Sequence, residues 1–185
     1  MQVEPTAVSG CVVIRLTRSH DERGDFVKVH QRSVVEAAGL DAGVAEVFVS
    51  RSVRGAVRGL HFQLPPHDHA KTVTCLDGRA FDVVVDLRVG SPTFRQCVTL
   101  ELDATAPVAV HVPAGCAHGF QATADGTLMA YVVSTEHAPE HDSGVRWDSV
   151  GVTWPLAAAV VSPRDRSFPA LAAFESPFRY AATPS

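Results

Sequence analysis

The histidine of Arg58-Gly-Leu-His-Phe-Gln63 and the lysine that opens a long alternating run at Lys71 stand on neighbouring strand-like segments. Arg58 flanks the first. Asp82 and Asp86 lie further on in Phe81-Asp-Val-Val-Val-Asp86, four residues apart and so on one face of a strand. A base, two cations and two carboxylates are thereby brought within reach of one ligand. That is a site and not yet a reaction, and the rest of the chain has to say which reaction it serves.

The elements that must hold these groups are strands. From residue 46 onward the segments 46–53, 57–63, 71–76, 79–88, 97–102, 108–112 and 127–133 are rich in Val, Phe, Thr or Leu, with Gly, Pro and Asp between them. Many short strands with such punctuation predict an all-β fold of antiparallel strands, and the jelly roll suits their number. Ahead of them, 11–16 is a short apolar run and 21–24 a polar turn. The segment 31–40 is the one good helix candidate, with Ser33 as N-cap and Gly39 as its stop. After Pro139 the texture changes to a Trp- and Pro-containing tail expected to lie over the barrel with a few short helical turns.

With 185 residues, 46% hydrophobic and 19% charged, the chain predicts one well-buried domain over 1–185. A net charge of −4 with both signs intermixed leaves no basic stripe for a phosphate backbone, so nucleic acid is not an expected partner. Cys11, Cys75, Cys97 and Cys116 have no C-x-x-C spacing and read as buried free thiols. No basic segment followed by an apolar core opens the chain, and no apolar run approaches the ~18 residues of a membrane span, so a cytoplasmic location without a membrane is expected.

His67-Asp-His69 and Pro113-Ala-Gly-Cys-Ala-His118 resemble the two metal-binding half-motifs of the cupin superfamily. The second half fits P-x-G-x-x-H. The first lacks its glutamate: Val73 and Thr74 occupy that distance, and Lys71 would set a cation beside the metal. No metal and no other cofactor is therefore expected, and His67 and His69 read as loop residues.

A longer pattern covers nearly the whole chain. Arg58-Gly-Leu-His-Phe-Gln63, Lys71, Phe81 to Asp86, Gly90-Ser-Pro-Thr-Phe94, Val112 to Phe120, Tyr131, Pro139-Glu-His, Val145-Arg-Trp-Asp148 and Val152-Thr-Trp-Pro155 together resemble the dTDP-4-dehydrorhamnose 3,5-epimerase family, in order and in spacing. That resemblance implies a cupin jelly-roll barrel. It also implies a dTDP-4-keto-6-deoxysugar substrate, whose C3 and C5 protons become acidic only if the enolate is stabilised. Epimerisation then needs a base on one face, a cation at the carbonyl oxygen and an acid on the other face. By the same resemblance, His61 is the base, Asp165 the carboxylate that orients it, Lys71 the enolate stabiliser and Tyr131 the acid. His118, Asp82, Gln63, Asp142 and Arg164 fall at substrate-binding positions, and Arg23 and Arg58 are placed to meet the diphosphate. Family members are homodimers with shared active sites, which is the assembly expected here.

Each residue also has a plainer reading. Tyr131 fits a core tyrosine, Asp82 a structural partner of His118 or Arg58, and Arg23 a turn residue. Departures from the family pattern cluster where the nucleotide is read. Glu46-Val-Phe-Val-Ser50 replaces a Gln and an Asn, Lys28 a glutamate, Glu136-His137 a Tyr-Tyr pair and Asp142 a frequent Glu. This drift suggests a secondary-metabolite member, as in antibiotic biosynthesis, acting on a modified deoxysugar. Two other classes remain open: a metal-dependent cupin isomerase or dioxygenase, and a non-catalytic sugar-nucleotide binder.

Overall fold

Two antiparallel sheets face one another in the computed structural model, which describes residues 1–181. The first has strand order β1-β2-β10-β7-β12-β5, from β1 (Gln2–Pro5), β2 (Val12–Arg15), β10 (Val108–Val112), β7 (Lys71–Asp77), β12 (Thr127–Val133) and β5 (Glu46–Ser52). The second has order β13-β6-β11-β8-β9, from β13 (Asp142–Gly144), β6 (Ala56–Gln63), β11 (Cys116–Ala122), β8 (Arg79–Asp86) and β9 (Cys97–Asp103). This is the all-β cupin jelly roll that the strand count and the resemblance predict.

Period-two alternation decides what each face does. On β8, Ala80 and Val84 point into the space between the sheets and join Val73, Val110 and Met129 of the opposite sheet in one core. Their neighbours Val83 and Val85 point outward, where Val145, Val150, Leu171 and Phe178 of the chain's last third cover them. The tail is thus laid over the second sheet, as its texture suggests. The outer face of the first sheet, at Ile14 and Ala109, is covered by helix α1 (Arg32–Ala37) through Val35.

Gly39 follows α1 with φ 70° and ends it as expected. The N-cap differs. Gln31 occupies that position without a side-chain cap, and Ser33 sits inside the first turn, accepting a hydrogen bond from Gln31 at 3.1 Å. Between residues 46 and 133 the strand bounds read from sequence agree with the structure to within two residues; the short strands at 2–5, 18–21, 142–144 and 160–161 and the longer β11 carry no such signal. The sequence of β11, Cys-Ala-His-Gly-Phe-Gln-Ala, carries no β-branched residue, and tertiary pairing with β6 and β8 makes it a strand.

Two glycines set how close β6 and β11 come. A Cβ on Gly59, whose φ is 121°, would sit 2.6 Å from Gly119 Cα and 2.8 Å from His118 O. Only bare backbone fits there, and the approach places His61 directly across from His118. We expect Gly59→Ala to lower stability by about 2–3 kcal/mol through strain and overpacking, read as a shifted denaturation midpoint at unchanged slope.

Candidate active site

Between the sheets a cavity of about 250 Å³ opens at one end, lined from the first sheet by Glu46, Phe48, Ser50, Lys71 and Tyr131, and from the second by Arg58, His61, Gln63 and His118. It is small beside typical ligand pockets of about 300–1,000 Å³, so it suits a sugar-sized group with the rest of a larger ligand outside. Of the residues singled out by sequence, Asp142 and Arg164 also line it.

His61 and Asp165 meet across 104 positions of sequence, Nε2 to Oδ1 at 2.9 Å. The tail makes this possible. Strand β14 (Val160–Val161) runs parallel to the start of β6, and Ser162-Pro163 then starts helix α2 (Pro163–Ser167), with the Ser162 hydroxyl accepting from the Asp165 amide at 3.0 Å. Asp165 is thereby turned under β6, where its other oxygen accepts from Gly59 N–H at 3.1 Å. Burial alone would raise its pKa. The hydrogen bond and charge of His61 and the bonds from Gly59 and Ser162 outweigh that and bring it down to about 2.

Burial also lowers the pKa of His61, with Arg164 and Lys71 acting in the same direction and Asp165 opposing them. At neutral pH the pair is a carboxylate beside a neutral imidazole. Nε2 also lies 2.9 Å from Arg164 Nη2. One nitrogen cannot donate to Asp165 and accept from Arg164 at once. When Nε2–H donates to Asp165, the lone pair sits on Nδ1, which has no protein partner among the described residues.

Lys71 opens β7 with its chain in the cavity and Nζ 3.4 Å from the His61 carbonyl. Burial pulls its pKa down to about 8 against the pull of Asp142 and Asp82. Tyr131, on the opposite sheet from His61, has its hydroxyl 3.3 Å from Ser50 Oγ and its ring stacked on Phe48. Burial raises the phenol's pKa, so it is a proton donor at neutral pH.

His118 is fully enclosed, with Nε2 2.7 Å from Asp82 Oδ2. This is the partnership that the plainer reading of Asp82 names. Asp82 Oδ1 is buried without a hydrogen-bond partner among the described residues. Gln63 lines the cavity but uses its amide on the chain itself: the nitrogen donates to His67 O and Glu136 O, and the oxygen accepts from Ala138 N–H at 2.6 Å. It pins the 136–138 loop more than it offers itself to a ligand. Asp142 holds Arg164 by an ion pair, and Arg164 reaches Asp165 and His61 from there. Arg58 donates to Ser52 Oγ and Arg51 O at the rim.

Arg23 is elsewhere. It sits on an exposed ribbon of β3 (Arg18–Asp21) and β4 (Gly24–Val27), paired with Asp21 at 2.6 Å, and does not line the cavity of its own chain. His69 and His137 do line it, the first from the loop between β6 and β7 in which its sequence reading places it. His69 is partnered by Gln63 and His118 by Asp82, and among the described residues no cluster of three His, Cys, Asp or Glu side chains could hold a metal ion. Glu46, Phe48 and Ser50 line the cavity without belonging to any motif that marks a site. Their period-two spacing was the available signal, since alternate residues of one strand share a face.

The model of the family dTDP-4-dehydrorhamnose 3,5-epimerase matches residues 5–173. A dTDP-4-dehydrorhamnose 3,5-epimerase of Sinorhizobium fredii is 37% identical over 184 residues, covering 97% of this chain and 94% of its own. The crystal structure of NovW, a 4-keto-6-deoxy sugar epimerase from the novobiocin biosynthetic gene cluster of Streptomyces spheroides, is 37% identical with a TM-score of 0.88, covering 93% of this chain and 88% of its own. That of RmlC from Legionella pneumophila in complex with dTDP-4-keto-L-rhamnose is 30% identical with a TM-score of 0.92, covering 98% and 99%. A neutral imidazole, a buried ammonium and a phenol around one cavity thus come with likeness along almost the whole chain: the protein belongs to the dTDP-4-dehydrorhamnose 3,5-epimerase family and is an isomerase.

Proposed function

We propose that the protein inverts C5, C3 or both in a dTDP-4-keto-6-deoxyhexose by way of an enolate, with His61 as base and Tyr131 as acid. The observation that carries this reading is that the two side chains line one cavity from opposite sheets. A keto sugar held between them gives up a proton to one wall, and the flat enolate that results takes a new proton from the other. His61 takes the proton α to the C4 carbonyl, and Asp165 stabilises the imidazolium that forms. The ammonium of Lys71, in its buried setting, balances the negative charge on the enolate oxygen. Arg164 and Arg58 at the mouth suit the diphosphate.

The test is solvent deuterium exchange into dTDP-4-keto-6-deoxyglucose, followed position by position. Label at C3, C5 or both supports the reading and says which carbon is inverted. A protein that binds the nucleotide sugar and labels neither carbon is a binder.

The protonation states predict a pH profile. Activity needs neutral His61 and charged Lys71, so kcat/KM should rise through a pKa below the usual imidazole range of about 6.5 and fall as Lys71 deprotonates above about 8. Asp165→Asn removes the group that holds the imidazole's pKa up, so the acid limb should move to still lower pH while the rate drops about 10²- to 10⁴-fold. A limb that moves upward contradicts the assignment of Asp165.

We also place a homodimer here. Strand β5 is the outermost of its sheet and leaves Val47 and Val49 about 60% exposed, while Phe26 on the β3–β4 ribbon is 61% exposed. An unpaired edge and an exposed aromatic side chain are both features that a second copy covers. The partner's ribbon would then bring an arginine to a mouth its own chain leaves open. Sedimentation should give twice the chain mass, and Arg23→Ala should raise KM about tenfold with little change in kcat. Four free cysteines, three of them buried, fit a reducing cytoplasm, and the altered nucleotide-reading positions fit a secondary-metabolite pathway.

A further inference from the structure

Phe48 lies flat against Tyr131, with ring centroids 4.6 Å apart and planes 13° from parallel. The two are direct partners across the β5–β12 pair. Since β5 is the last strand of its sheet, Phe48 is 42% exposed while Tyr131 behind it is 8% exposed. The Tyr131 hydroxyl has one hydrogen-bond partner among the described residues, Ser50 at 3.3 Å, which is long for two hydroxyls. His118 meets the same ring only edge-on, at 6.3 Å. Of these contacts the stack is the close one, so packing more than hydrogen bonding decides where the phenol points.

We propose that Phe48 is a positioning residue for Tyr131, holding the phenol against the ligand and keeping bulk water off it, so that the intermediate goes forward to the inverted product instead of back. The inference rests on the reading given under Proposed function. There, the C–H electron pair passes into the enolate as His61 takes the proton. In the forward step Tyr131 gives its proton to the carbon on the far face, the new C–H bond forms as the O–H bond breaks, and water reprotonates the phenolate. In the return step the His61 imidazolium, having exchanged with solvent, puts a proton back on the near face and regenerates the starting isomer. A phenol that is tilted or wet loses ground to that return.

The experiment runs wild type, Phe48→Ala and Phe48→Tyr in D2O with dTDP-4-keto-6-deoxyglucose and measures deuterium in recovered starting isomer against deuterium in inverted isomer, with kcat and KM. A stacked aromatic pair is a small term, so Phe48→Ala should raise that ratio up to about tenfold, and Phe48→Tyr, which restores the stack, should bring it back to within about twofold of wild type. A purely structural role would lower both labelled species together. An unchanged ratio in Phe48→Ala, or a loss carried wholly by KM, overturns the proposal. If wild type neither labels nor inverts the substrate, the underlying reading fails and takes this one with it. If wild type does both and the ratio does not move, only the assignment of Phe48 falls.

Discussion

His61→Ala is expected to lower both inversion and solvent deuterium exchange by about 10⁴-fold, the largest effect of any single change in the chain. Both readouts fall together because proton removal precedes everything else. Neither basic side chain on the neighbouring strands stands ready in its place. Lys71 is an ammonium at neutral pH with Nζ against the His61 carbonyl, and His118 is enclosed against Asp82. His61→Asn keeps a donor for Asp165 and should fold as the wild type does while losing the same activity. Retained exchange in either variant would mean that the proton leaves to a different group, and the two-wall reading would have to be given up.

Tyr131→Phe should behave differently. Its expected signature is an inversion rate down about 10²- to 10³-fold, with exchange into the starting isomer largely kept, because the base and the enolate's cation are untouched. The substitution keeps the ring and its stack on Phe48 and removes only a hydroxyl that is 3.3 Å from Ser50, so stability should change little. Equal loss of exchange and inversion would count against a phenol on the far face. The pair of variants therefore tests the opposition of the walls more sharply than either does alone.

The family resemblance is shown by the match over 5–173, and the fold it implies is present. What connects those two facts is alternation. On β6, β7 and β8 the residues that could do chemistry, His61, Lys71 and Asp82, share the inward period with core residues such as Val73 and Val84, so a reading of strands already turns them toward one interior. Asp165 is a different case. Its α2 segment is short and weakly patterned, and its role depends on β14 pairing parallel to β6 and on the Ser162 cap, neither of which leaves a periodic trace.

By itself the sequence determined the strand-rich class, most strand limits and the inward set of ionisable residues, because turn chemistry and period-two patterning are local properties. Tertiary structure alone decided that Cys116–Ala122 is a strand, that Gln63 is taken up by the 136–138 loop, that Phe48 covers Tyr131 and that Arg23 stands outside its own chain's cavity. Those facts depend on which strand lies beside which and on where each sheet ends. Pairings between distant segments are set by the whole packed core, and no window of residues encodes them on its own.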